Sequence, residues 1–344
     1  MNALNADPVP WLLEDDTPAV KHRALRDLLG RPEDDRDVRR ARAAAMKADP
    51  IAAILDAQEP EGYWEKPGAG YAPKYTGTVW QVIFLDQLGA DPADPRVRRA
   101  CEYVLAHTQS SSGGFGASGS HIDRPPPPSH VIHCLNGNLL RAFIGFGYLD
   151  DPRIKAAIDW QARSITGDGV RFLATGTSGP DFACAANEKQ PCAWGGVKAM
   201  GALARIPPRR RTAAVRRAIG QGSAFLLSRD PAVADYPWPS YATKPNGSWF
   251  RFGFPSGYVT DVLQNLEVLC ELGFGRDPRL ARAVDLLVSK QDEEGRWKNE
   301  YSYHGKTTVD FEQQGKPSKW VTLRALRVLR AAELPRFAFL PGLN

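Results

Sequence analysis

A short basic segment recurs along the chain at intervals of roughly sixty residues, and a period of this size marks an array of supersecondary units. It reads Val38-Arg39-Arg40-Ala41 and returns as Val97-Arg98-Arg99-Ala100 and Val215-Arg216-Arg217-Ala218, with looser copies at Ile154-Lys155-Ala156-Ala157 and Leu280-Ala281-Arg282-Ala283. Ahead of three copies stand Asp94-Pro95, Asp151-Pro152 and Asp277-Pro278. An aspartate there accepts from the free amides of a first helical turn, and a proline in that turn loses no hydrogen bond. Five outer helices are therefore predicted in register. Each is preceded by a more apolar helix: Ala19 to Gly30, Thr78 to Gly89, Val131 to Gly147, Ala193 to Ala204 and Tyr258 to Gly273, with Lys319 to Ala332 closing the series. Most of these stop at glycine, which tolerates the left-handed helix terminus. Helices apolar nearly all round belong inside, and arginine-striped helices outside. The pattern predicts an all-α fold, an α/α toroid of about six inner helices ringed by outer ones. It reads as one domain over residues 1–344, with repeats from about 18 to 333.

The loops after the outer helices repeat as well. Gln58, Gly62 and Trp64 share their spacing with Gln291, Gly295 and Trp297, and Gln109, Gly113 and Phe115 are a close variant. The turns around Gly167 to Phe172 and Arg229 to Trp238 keep an aromatic residue but no glutamine. A glutamine at a helix end can bond orphaned backbone groups, glycine permits a sharp reversal, and the aromatic ring fills the gap between hairpins.

A glutamine ending an outer helix and followed by Gly-x-Trp resembles the QW repeat of the squalene-hopene cyclase and protein prenyltransferase β-subunit superfamily. The resemblance covers nearly the whole chain and implies an α/α toroid. The chemistry of those families does not carry over intact. Neither the Asp-x-Asp-Asp of class II cyclases nor the Asp-Asp-x-x-Asp of class I synthases occurs. The acidic runs Glu14-Asp15-Asp16 and Asp34-Asp35-Arg36-Asp37 are expected to serve helix N-termini instead. Cys192 with Trp194-Gly195-Gly196 is similar to the zinc-cysteine segment of the prenyltransferases, but Gln190 stands where the aspartate belongs and Lys319-Trp320 where the histidine belongs. A rebuilt zinc site would draw on His130, His133, Cys134, Cys184 and Cys192.

Hydrophobic residues make up 43% of the chain, enough to bury a large core. The net charge of +5 is small and spread along the sequence, which argues against nucleic acid as a partner. No apolar run reaches the roughly 18 residues of a membrane span, and Met1 to Asp16 carries acids where a signal peptide would be basic and then apolar. A cytoplasmic protein without integral membrane association is expected. Five cysteines, Cys101, Cys134, Cys184, Cys192 and Cys270, are an odd number in a long chain, so no disulfide framework is expected.

A toroid offers one obvious concavity, its mouth, fed by the first turns of the inner helices. Polar, aromatic and thiol groups concentrate in those turns. His133 followed about fifty residues later by Cys184 and Cys192 is similar to linalool dehydratase-isomerase, an α/α toroid that works on a small monoterpene alcohol without metal. The resemblance implies catalytic roles for His133, Cys184 and Cys192, with Tyr75 as the candidate tyrosine. Asp261, one turn into an apolar helix, is an independent candidate acid, and pairing with an arginine such as Arg251 is its structural alternative. Trp80, Trp194, Tyr258, Trp249 and Trp320 would line the substrate, or simply pack the core. Two aromatic-rich loops, Tyr236 to Pro255 and Glu300 to Gly315, are expected to form a lid. The leading expectation is an acid/base lyase, isomerase or cyclase without a required cofactor, acting on a small apolar, isoprenoid-like molecule. The alternatives are a zinc-dependent prenyltransferase-like enzyme, a carbohydrate-active lyase or hydrolase, and a noncatalytic binding toroid.

Overall fold

In the computed structural model, residues 4–118, 124–169 and 178–332 are described. Phe172 of the third turn and residue 333 at the end of the last repeat lie outside them. After a single opening turn, α1 (Val9–Leu12), the chain alternates inner and outer helices. The inner set is α2 (Pro18–Asp27), α5 (Thr78–Leu88), α7 (His133–Gly145), α9 (Ala193–Ala204), α11 (Val262–Glu271) and α13 (Lys319–Ala331). The outer set is α3 (Arg36–Ala45) continued by α4 (Ile51–Asp56), then α6 (Pro95–His107), α8 (Pro152–Thr166), α10 (Ala213–Leu226) and α12 (Ala281–Ser289). From α5 to α13 each inner helix packs on the next, α13 returns to pack on α2, and Arg23 of α2 donates to the Asp86 carbonyl of α5, so the ring closes. The only sheet among the described residues is a two-stranded ladder of β1 (Trp297–Lys298) and β2 (Pro317–Ser318).

The sequence signals act as their chemistry requires. Asp94, Asp151 and Asp277 each accept the amide of the residue two positions on, at the heads of α6, α8 and the turn before α12. Every residue of α5 except Gln87 is buried, as an inner helix demands. α11 begins at Val262 rather than near Tyr258, because Asp261 has extended backbone and caps the helix.

The loop repeat is a pair of staples. The Gln58 amide donates to the carbonyl of Arg96 in the next outer helix at 3.0 Å, and Gln109 does the same to Arg153 at 2.7 Å. The last copy grips the start of the chain instead: Gln291 accepts from the Asn5 amide, and Asn5 donates to the Asp292 carbonyl. The aromatic residue ties inner to outer layer. Trp64 and Trp297 donate their indole N–H to the carbonyls of Ile54 and Leu287, and Tyr236 donates its hydroxyl to Leu226, in each case ten residues back. The backbone amides of Trp64, Trp297 and Phe115 meanwhile donate to Thr78, Thr322 and Asn136 in first turns of inner helices.

The acidic run near the N-terminus departs from expectation. Glu14 and Asp16 hold the Lys319 ammonium at the head of α13, and Asp15 holds Lys21, so this run clasps the first inner helix to the last. Asp35 does cap α3.

The middle of the ring holds a belt of ion pairs. Arg141 forks onto Glu271 at 2.8 and 2.7 Å, Arg205 holds Asp86, and Arg324 holds Glu267 while donating to the Gly253 carbonyl. Arg327 reaches Glu271, and Arg330 caps the Asp27 and Leu28 carbonyls. Each link joins different elements, because a buried charge left single would cost several kcal/mol.

Two consequences are measurable. Arg141, first among charges opposing the burial penalty, holds Glu271 down to about 2. That lies below the ordinary 4.5, so its stabilisation is complete above pH 4.5 and is lost as pH falls through about 2. Glu271→Gln should therefore lower stability by about 2 kcal/mol at neutral pH, with the difference from the parent shrinking in acid urea melts. Gly62 has φ +105°, and a Cβ there would sit 2.8 Å from the Arg99 carbonyl oxygen, whereas Gly147, at φ +89°, faces open space. Gly147→Ala should cost about 1–2 kcal/mol from backbone strain alone, and Gly62→Ala measurably more.

Candidate functional site

The inner helices run parallel, so their N-termini meet at one end of the ring, where the partial positive charge of the first turns favours anionic groups. The loop 182–192 brings two thiols together there. Cys192 donates its amide to the Phe182 carbonyl, Cys184 donates to Gln190, and Ala183 bridges Pro191. Glu188 and Lys189, with φ of 53° and 65°, turn the chain between them. Cys184 thereby precedes the helical turn Ala185–Asn187, and Cys192 caps α9. The Cys192 thiol beside the Cys184 sulfur favours its thiolate, so Cys184 titrates below its ordinary value and Cys192 well above, while the Asn187 amide donates to the Cys184 carbonyl. Cys134, in the first turn of α7, is pushed up to about 12 by burial. All five cysteines are unbridged.

Gly195 is the meeting point of this cluster. A Cβ there would touch His133 Cβ at 3.3 Å, Cys134 Sγ at 3.7 Å and Cys192 Cβ at 3.9 Å. The His133 ring nevertheless turns away from the thiols, toward Gly179 and Gln161. Nε2 lies 2.8 Å from the Gly179 carbonyl and so carries the proton, and Nδ1 accepts from Gln161 at 2.9 Å. Trp160 and Phe182 enclose the ring, and burial holds its pKa down to about 4. With both nitrogens engaged, His133 positions the 178–184 segment and has no free lone pair for a metal. His130 sits half-buried in the turn Pro128–His130. Among the described residues, no three His, Cys, Asp or Glu side chains gather as ligands.

Asp261 is also placed differently. Its carboxylate accepts the Gln264 amide at 2.8 Å and the Gln264 side chain at 3.1 Å, while Arg251 lies over the Tyr301 ring instead. Burial raises the Asp261 pKa, against the nearby Arg324. The group that the sequence reading missed is Lys198 on α9, 6% exposed, whose ammonium donates to Gln264. Burial pushes its pKa down to about 7, opposed by Asp261 and Cys134. A single lysine inside the otherwise uncharged helix Ala193–Ala204 was the available signal.

An aromatic wall stands beside the thiols. Tyr75 packs on Trp80 at 4.8 Å and Tyr303 at 4.5 Å, and Tyr258 packs edge-on against Trp80 at 5.0 Å and against Tyr71 at 6.1 Å. The Lys74 ammonium lies 4.9 Å over the Tyr258 ring and 5.1 Å over Tyr75, so these rings already hold a cation. The buried Tyr258 hydroxyl and Trp194 indole N–H have no hydrogen-bond partner. Tyr303 comes from the second aromatic loop, which joins the first through amides of Glu300 and Tyr301 donating to the Phe252 carbonyl. Trp249, an expected lining residue, is fully buried against Tyr236 with its indole on the Pro231 carbonyl, whereas Trp320 stacks on Phe254 at 4.4 Å and lines the central cavity.

That central cavity, about 140 Å³, is lined by Arg23, Arg141, Lys198, Glu267 and Arg324 among others. Phe254 and Trp320 also line it, so aromatic surface is present among its charged walls as well as at the mouth.

No family model and no curated protein matches the chain. Solved structures with a similar chain path include the apo type II terpene cyclase MstE from Scytonema, 15% identical with a TM-score of 0.45, covering 94% of this chain and 89% of that one. An MstE structure with the substrate geranylgeranyl dihydroxybenzoate is 13% identical at a TM-score of 0.30, covering 84% of this chain and 97% of that one. A protein from Actinoplanes is 16% identical at 0.34, covering 85% and 99%. Likenesses of this size carry no argument about chemistry, which rests on this chain's own residues. No helix among the described residues is long and apolar enough to cross a membrane.

The thiol geometry predicts selective alkylation. With iodoacetamide, one thiol should react with an apparent pKa below the ordinary cysteine value of about 8.5, and Cys184→Ser should remove that phase. Cys192→Ala should move it upward, because the neighbouring thiol that favours the thiolate is lost. Mass mapping of the labelled peptide across a pH series reads both.

Proposed function

We propose that the protein is an acid/base enzyme acting, without a required cofactor, on a small, largely apolar, isoprenoid-like alcohol bound at the toroid mouth. The observation that carries the reading is the Cys184–Cys192 pair that the 182–192 loop folds together at the mouth, where the neighbouring thiol favours the Cys184 thiolate. Eliminating a hydroxyl from an allylic alcohol needs a proton donor at the oxygen and a base at the adjacent C–H. In this reading the unpartnered Tyr258 hydroxyl bonds and protonates the leaving oxygen, which departs as water, and Cys184 takes the carbon-bound proton. Proton transfer from Cys184 to Tyr258 restores both groups. Tyr71, Tyr75 and Trp80 present ring faces to a cationic intermediate, and Lys198 supplies positive charge beneath the thiols. His133 positions the loop rather than reacting, and Asp261 orients Gln264 against Lys198.

One observation favours the noncatalytic binding toroid as a second reading: charged side chains fill most of the ring, leaving a central cavity of about 140 Å³. Incubation with geraniol, linalool and farnesol, followed by product analysis, separates the two. The enzyme reading expects conversion of at least one alcohol, reduced at least about 100-fold by Cys184→Ser. Tryptophan fluorescence that responds to an alcohol without turnover supports the binding reading. The absence of both turnover and a fluorescence response would overturn the proposal.

A further inference from the structure

A second cavity, about 430 Å³, lies at the opposite end of the ring, against the C-terminal ends of α5, α7 and α9. It has the volume of a small-molecule site, and its walls are charged rather than apolar. Arg23, Arg26, Arg42 and Arg205 face it, against the carboxylates of Glu33 and Asp86. The carboxylates are already spent: Glu33 is held by Arg26 at 2.6 Å and by Arg42, and Asp86 by Arg205 at 2.7 Å. Arg23 has only the Asp86 carbonyl, at 2.8 Å. Among the residues lining the cavity guanidiniums thus outnumber carboxylates by two, with Asp27 outside the lining as a further charge near Arg23.

Two further groups are unspent. His22, 1% exposed on α2, has no hydrogen-bond partner at either ring nitrogen, and the buried Nε of Arg42 has none. Leaving buried polar atoms unpaired is unfavourable, so a chain that keeps several of them around one cavity needs a reason. The ordinary structural use of arginines here is to cap helix carbonyls, as Arg23 does on α5 and Arg205 on the Arg141 carbonyl. Capping explains those two and leaves His22 and Arg42 Nε unexplained. The helix C-termini carry partial negative charge, and these caps offset it at the cavity wall.

We propose that this cavity binds a phosphate-class oxyanion, with Arg23 and Arg42 as charge partners and the His22 N–H as an additional donor. Guanidinium forks match tetrahedral oxyanions, and a neutral imidazole adds one directed hydrogen bond. Burial, with Arg23, Arg42 and Arg26 close by, holds His22 neutral down to about 3, so its N–H persists across the working pH range. The site shares Arg23, Asp86 and Arg205 with the central cavity but none of the thiols or aromatic residues of the mouth.

The test uses imidazole nitrogen–proton NMR on the full chain, with His22→Asn assigning the His22 signals among the six histidines. Titration with inorganic phosphate and with pyrophosphate should move the His22 signals saturably, with a dissociation constant of about 1 mM or tighter. Sodium chloride at matched ionic strength should leave them in place. Arg42→Gln should weaken the response at least tenfold, and Arg23→Gln gives a second, independent variant should the first not fold. Cys184→Ser should bind the anions like the parent, which keeps this result separate from the fate of the proposed catalysis. Unmoved His22 signals, or equal movement with chloride, would overturn the proposal.

Discussion

The ring depends on how its interior charges are partnered. Each inner helix contributes few polar groups, yet those groups sit where water is scarce and must find partners across helix boundaries. Arg141 of α7 therefore meets Glu271 of α11, Arg205 at the end of α9 meets Asp86 of α5, and Arg324 of α13 meets Glu267 of α11. Removing water from such ions is unfavourable, and replacing the pairs by well-packed apolar groups would serve stability as well or better. What the pairs provide is an arrangement with little tolerance: a helix shifted by one turn would strand a charge. The apolar core selects a compact bundle, and the ionic belt selects this ring among bundles.

The periodic parts of this arrangement were legible in the sequence. Aspartate-proline helix starts, glycine stops and the spaced glutamine, glycine and aromatic residues report local geometry, and local geometry repeats. The indole bond to a carbonyl ten residues back follows from that spacing once the hairpin exists. Side-chain direction was less legible. His133 lies in a first turn that faces the mouth, but its ring rotates toward Gln161 of α8, a partner 28 residues away whose proximity only the packed fold creates. Asp261 looked like a carboxylate inside a helix because the apolar pattern runs through Tyr258 and Val259; the cap position is set by backbone torsion, not by hydropathy. Lys198 was passed over, although one charge in an uncharged inner helix is the same kind of signal that drew attention to Asp261.

The two ends of the toroid are chemically opposed. Parallel inner helices direct amide ends to the mouth, where thiols, a lysine and tyrosines gather, and carbonyl ends to the other face, where arginines gather. The arginines compensate the carbonyl ends of the helical dipoles, and the amide ends favour the thiolate of Cys184. The polar centre between them is narrow, so a substrate at the mouth would rest on the charged belt rather than pass through it.

Closing the circle also fixes the order in which the molecule can assemble. The clasp between Lys319 and Glu14 spans 305 residues of sequence, and Arg330 reaches the Asp27 carbonyl across 303. Neighbouring hairpins can pair early because little chain must be immobilised to join them, whereas this last seam waits until five junctions have already curved the array. An unsealed arc would expose the apolar flanks of α2 and α13 for that interval. The acidic tripeptide ahead of α2 keeps one of those flanks soluble and charged until its lysine partner arrives.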